Sequence, residues 1–111
     1  MPERNDTLLL RDIVENAENI FHFVKDISYE QFATDKMRVY AVVRCFEIIG
    51  EASAMVSGET KKAYPLVEWR ELKDFRNRLI HNYFGIDYAT VWVIIQTDLP
   101  YNYKFLKGIH L

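Results

Sequence analysis

A chain of 111 residues that is 50% hydrophobic and 14% aromatic can build one cored domain and is too short to divide comfortably into two. Its formal charge of −2 excludes a broad nucleic-acid surface, because phosphate binding over a wide area needs a clearly basic domain; any anion site must be local. The single Cys45 excludes an internal disulfide or a cysteine-built metal centre, and no stretch approaches the roughly 18 apolar residues that span a bilayer.

Four glycines and three prolines leave few turns, so the elements between them should be long. The expected fold class is all-α: an up-and-down bundle of four main helices plus a short connecting helix, one domain over residues 1–111. The N-terminal MPERNDT has no apolar signal segment, and with one buried-looking cysteine a reducing cytoplasm without membrane contact is the expected location.

In chain order, Asp6 or Thr7 is expected to cap a first helix running to about Val24, with Leu9 or Leu10, Ile13, Ala17, Ile20 and Val24 at core spacing. Ser28 or Asp26 opens a short turn through SYEQF, where Gln31 stands three residues after Ser28 as in a capping box. Asp35 precedes the long apolar helix KMRVYAVVRCFEIIGEASAMV, closed by Ser57-Gly58, with Cys45 and Met55 expected as buried filler. On that rod Arg44, Glu47 and Glu51 form one charged stripe, and Gly50 beside it admits a second backbone at close range. GETKKAYPLVEW reads as a linker with one short helical turn. A third helix is expected from about Val67 to His81, stopped by Gly85; Asp87 caps a fourth from Tyr88, which Pro100 kinks or restarts.

The third helix carries the most informative stretch, RNRLIHNYFGID from Arg76 to Asp87, in which Arg76, His81 and Tyr83 fall at Arg-x-x-x-x-His-x-Tyr spacing. A guanidinium can hold two phosphate oxygens, an imidazole exchanges a proton near neutral pH, and a phenol beside them can be modified. On an ideal helix Arg76 would sit within about 40° of Leu72, inside the apolar stripe of Leu72, Leu79 and Tyr83, while His81 would lie about 140° away from it. Asn77, four residues before His81, is better placed to hydrogen-bond the ring. Arg76 can instead pair with Glu47 or Glu51 and simply fix helix register, and Tyr83, Trp69, Phe75 and Phe84 can be packing aromatics. Arg70, Lys73, Arg76 and Arg78 concentrate positive charge around the motif, against Glu71 and Asp74 alone. There is no Gly-rich phosphate loop, His-Glu-x-x-His pair or nucleophile elbow, and His22, His81 and His110 are too scattered for a metal centre; acid–base chemistry without metal or cofactor is what remains.

At RNRLIHNYFGID and RCFEIIGEA the chain resembles the HEPN superfamily and, within it, the HepT-like toxins of type VII HEPN/MNT toxin–antitoxin pairs. The resemblance implies a homodimer whose motifs face one another across a cleft, and a metal-independent endoribonuclease. His81 would be the acid–base group for attack of an RNA 2′-hydroxyl, Arg76 would stabilise charge on the phosphoryl oxygens, and Asn77 would orient them. Arg70, Lys73 and Arg78 would contact RNA. It further implies a small nucleotidyltransferase (MNT) antitoxin as partner, which transfers AMP to Tyr83 and so closes the site to RNA. The alternative is a noncatalytic HEPN module that binds a nucleotide or the nucleotidyltransferase without cutting RNA.

Overall fold

The structure, a computed structural model, describes residues 2–81 and 85–111, with the side chains of residues 5–80 and 85–111. The first helix, α1 (Pro2–Phe23), turns Leu10, Ile13, Ala17 and Ile20 inward at three- and four-residue spacing and packs chiefly along α3 (Lys36–Met55). Between them, Asp26 takes a left-handed φ of 61° after the helix end, and Ser28 opens α2 (Tyr29–Ala33). The capping box expected there is present: the Gln31 N–H donates to Ser28 Oγ at 3.1 Å, and the Ser28 N–H donates to Gln31 Oε1 at 2.8 Å.

Asp35 caps α3 by accepting the Arg38 N–H at 3.1 Å. Val39, Val42, Val43, Cys45, Phe46, Ile49, Ala52 and Ser53 of this helix are buried, which makes it the rod against which α1, α2 and the stretch from Trp69 to Leu79 pack. Met55 departs from expectation. It is 69% exposed because the chain leaves the helix directly after it and Val56 takes the buried position instead.

Asp6 also behaves differently from the N-cap assigned to it. Helix α1 starts earlier, at Pro2, so Asp6 lies inside the helix, 2% exposed, and its carboxylate serves a different element. It accepts the Ser57 N–H at 3.0 Å and the hydroxyls of Ser57 and Thr60, at the start of α4 (Gly58–Ala63). Ser57 Oγ in turn accepts the Thr60 N–H at 3.2 Å, so one buried carboxylate fastens the first helix to the cap of the fourth.

The expected third helix is jointed. It divides into α5 (Trp69–Lys73) and α6 (Phe75–Leu79) at Asp74, and then gives way to a hairpin of β1 (Ile80–His81) and β2 (Gly85–Ile86), antiparallel, with Ile80 opposite Ile86 and His81 opposite Gly85. Gly85 does not stop the helix, which has already ended; its φ of 77° serves the return strand. Asp87 caps α7 (Tyr88–Gln96) through the Thr90 N–H at 3.1 Å, and α8 (Asp98–Leu106) restarts after Thr97 with Pro100 in its first turn, where the missing N–H has no helical partner to lose. The architecture is all-α apart from this hairpin, with Phe32, Phe46, Phe75, Leu72, Leu79, Ile94 and Leu99 fully buried in the core.

Two outcomes follow from these contacts. A Cβ at Gly50 would lie 3.2 Å from the Leu72 carbonyl oxygen and 3.3 Å from that of Lys73, so Gly50→Ala should destabilise by roughly 1–3 kcal/mol, reversing the usual helical gain of alanine, as read by urea unfolding. Burial of the Asp6 carboxyl opposes its ionisation, but the hydrogen bonds from Ser57 and Thr60 and the Lys61 charge outweigh burial and lower its pKa below the ordinary carboxylate value. Its stabilisation is therefore complete above about pH 4 and lost as pH falls through the lowered folded value. Asp6→Ala should cost about 2–3 kcal/mol at pH 7 and progressively less under acid conditions.

Candidate active site around Arg76

The joint at Asp74 sets the geometry of the motif. The Asp74 N–H donates to the carbonyls of Arg70 at 3.1 Å and Glu71 at 3.2 Å, closing α5, and the Asp74 carbonyl accepts the Arg78 N–H at 3.2 Å as α6 begins. Ideal-helix angles do not carry across that restart. Leu72, Phe75 and Leu79 hold the apolar stripe at full burial, Phe75 meeting the Phe46 ring edge-on at 5.0 Å, whereas the Arg76 side chain emerges 68% exposed. The apparent intrusion of a charge into the core does not occur.

Of the two partners open to Arg76, the structure selects Glu47. Arg76 Nε lies 3.6 Å from Glu47 Oε2; Arg44 Nη1 lies 3.7 Å from Glu47 Oε1 and 3.6 Å from Glu51 Oε1. The stripe Arg44, Glu47 and Glu51 thus meets the motif arginine directly. These contacts are longer than hydrogen bonds, and Arg76 makes no hydrogen bond through its terminal nitrogens among the described residues. An exposed pair of this kind contributes about 0–1 kcal/mol, too little to make helix register the main reason for an arginine here.

The neighbouring residues divide into two groups. Asn77 Nδ2 donates to Asp74 Oδ1 at 2.7 Å, one turn back, so one of its amide hydrogens is engaged at the joint. Arg78 Nη1 donates to Asp98 Oδ2 at 2.9 Å in a half-buried pair that ties α6 to α8. Burial opposes ionisation of Asp98, but hydrogen bonds from Arg78 and Thr97 and the Arg78 charge prevail and lower its pKa. Arg70 and Lys73 are exposed on α5.

His81 follows the helix rather than belonging to it. Leu79 is the last residue of α6, the Ile80 N–H donates to the Arg76 carbonyl, and the Asp87 N–H reaches back to the Leu79 carbonyl at 2.9 Å. The angular objection drawn from one straight helix therefore does not apply to Arg76 and His81. The backbone of His81 is fixed opposite Gly85, while its side chain lies outside the described residues, as does all of Tyr83. The hairpin had a sequence signal that helix reasoning passed over: Ile80, Tyr83, Phe84 and Ile86 favour strand, and Gly85 stands where a left-handed φ is needed.

A family model described as "Ribonuclease HepT-like" matches residues 13–109. The chain belongs to the HepT-like family of the HEPN superfamily. Among curated relatives, the HepT-like chain is 45% identical over 100 residues to "Putative RNase MJ1380" of Methanocaldococcus jannaschii, covering 90% of this chain and 92% of that one. It is 42% identical over 91 residues to "Probable ribonuclease HepT" of Thermococcus cleftensis, covering 82% and 83%, and 37% identical over 100 residues to "Putative RNase TTE0752" of Caldanaerobacter subterraneus, covering 90% and 89%. No solved structure matches the chain closely enough to count as similar. Among the described residues no helix is long and apolar enough to cross a membrane.

The geometry separates stability from chemistry at Arg76. Arg76→Ala in this HepT-like chain should leave the urea unfolding free energy within about 1 kcal/mol of wild type, while Leu79→Ala, three residues on and fully buried, should lose about 2–5 kcal/mol.

Proposed function

We propose that this chain is the toxin of a HEPN/MNT toxin–antitoxin pair and acts as a metal-independent endoribonuclease. The observation that carries this reading is the Arg76 guanidinium, exposed beside a helix end, approached by a carboxylate at Nε and free of hydrogen bonds at its terminal nitrogens among the described residues, five residues ahead of His81. The family and the ribonuclease names of its relatives support the same reaction class.

In the reaction, an RNA 2′-hydroxyl loses its proton to a base and its oxygen attacks the adjacent phosphorus. The bond from phosphorus to the 5′-oxygen breaks, and that oxygen takes up a proton. The products are a 2′,3′-cyclic phosphate and a 5′-hydroxyl. His81 serves as base or acid, with the complementary group supplied by a second protomer across the dimer cleft. Arg76 neutralises the charge growing on the nonbridging oxygens, Asn77 orients the site, and Arg70 and Lys73 hold flanking phosphates; Arg78, expected from the sequence to join them, is committed to Asp98 instead. Met37, Tyr40 and Met55, exposed along α3, are apolar surface that a homodimer would cover. The nucleotidyltransferase antitoxin would silence the toxin by placing AMP on Tyr83, a bulky anion that occludes the cleft and repels RNA.

The test is cleavage of RNA in the presence of chelator. Wild type should produce cyclic phosphate ends, and Arg76→Ala and His81→Ala should each fall about a hundredfold or more. Equal activity in all three would overturn the mechanism, and nucleotide or antitoxin binding without any cleavage would leave the noncatalytic module in its place.

A further inference from the structure

The Arg76 ion pair is part of a larger arrangement. Glu47 has a different arginine at each carboxylate oxygen, Arg44 at Oε1 and Arg76 at Oε2, and Arg44 reaches on to Glu51. The four side chains come from α3 and α6, share one face, and carry formal charges that cancel. Three of them are well exposed: Arg44 at 61%, Arg76 at 68% and Glu51 at 69%. Their contacts of 3.6–3.7 Å contrast with the 2.9 Å pair of Arg78 and Asp98, which is half-buried and built to hold two helices together. Glu47 is the exception among the four. Only 25% of its side chain is exposed, so it has less room to move than the long, solvated arginines on either side.

We propose that Glu47 is a positioning residue that sets Arg44 and Arg76 side by side as a two-guanidinium clamp for an RNA phosphodiester, and that Arg44 is a second phosphate ligand which exchanges Glu51 for the substrate. The inference rests on the ribonuclease reading and adds to it a residue pair on α3. The chemistry favours the exchange. Phosphate oxygens accept short, charge-assisted hydrogen bonds from a guanidinium, bidentate where geometry allows, whereas Glu51 offers Arg44 only a long solvated contact. By meeting Arg76 at Nε, Glu47 leaves the terminal nitrogens to face the phosphate. Glu47 and Glu51 therefore have opposite functions despite carrying the same charge one turn apart. The first orders the cations; the second competes for one of them.

That opposition supplies the test. Binding of a 2′-O-methyl RNA oligonucleotide, which cannot be cut through its 2′-oxygen, is measured by fluorescence anisotropy across a salt series, beside chelated cleavage of ordinary RNA. Glu51→Gln should tighten binding several-fold. Glu47→Gln should weaken it about tenfold, with no such effect in an Arg44→Gln, Arg76→Ala background. Arg44→Gln should weaken binding about tenfold and reduce the slope of log affinity against log salt by about one. If Glu47→Gln tightens binding as Glu51→Gln does, both carboxylates merely repel RNA and the clamp is wrong; an Arg44→Gln protein with unchanged affinity and salt slope overturns it too. Arg44 is exposed enough that this second variant tests the clamp even if Glu47→Gln folds poorly. Wild type that binds in this pattern but never cleaves removes the ribonuclease reading and leaves the clamp. Wild type that cleaves without the pattern does the reverse, and wild type that does not bind the strand overturns the clamp.

Discussion

The close approach of α5 to α3 at Gly50 is the constraint on which the candidate site depends. Two carbonyl oxygens, of Leu72 and Lys73, lie where a side chain on α3 would begin, and they are the last residues before the joint at Asp74. With α5 seated there, α6 starts close enough to α3 for Phe75 to meet Phe46 and for Arg76 to meet Glu47. A Cβ at position 50 would press on both carbonyls and push the two helices apart by a few tenths of an ångström. The apolar contacts and the charged contact are thus two results of one packing distance.

This arrangement explains how an arginine stands beside a core stripe without entering it. The stripe is satisfied by Leu72, Phe75 and Leu79, and the restart at Asp74 turns the intervening residue outward. The joint is stabilised locally, since Asp74 closes one helix with its N–H, opens the next with its carbonyl, and accepts Asn77 at 2.7 Å through its side chain. The hairpin then takes His81 off the helix axis altogether.

Much of this was legible from the residues. The period of Ile13, Ala17 and Ile20, the Asp35 and Asp87 caps, the Ser28–Gln31 box and the close approach at Gly50 are local signals, and local physics realised them. What escaped was decided by contacts distant in sequence or by competition between neighbours. Asp6 resembles a cap for its own helix, and only the fold brings Ser57 and Thr60 to it. The 67–81 stretch carries helical spacing throughout, yet Asp74 and the strand-favouring residues after Leu79 break it twice. At the site, the stripe of Arg44, Glu47 and Glu51 was visible as a stripe, but which carboxylate would take Arg76 depended on how far along α3 the α6 helix landed.

The Asp6 carboxylate has a consequence for the order in which the molecule can be completed. Its bonds to Ser57 and Thr60 span 51 and 54 residues, so they close a large loop and cannot form until the chain through α4 exists. During synthesis α1 can fold and lean on the growing α3, yet it carries a buried-type anion with no donors until α4 arrives. The first helix therefore gains this buried contact only once the chain through Thr60 has been made, after α3 is complete.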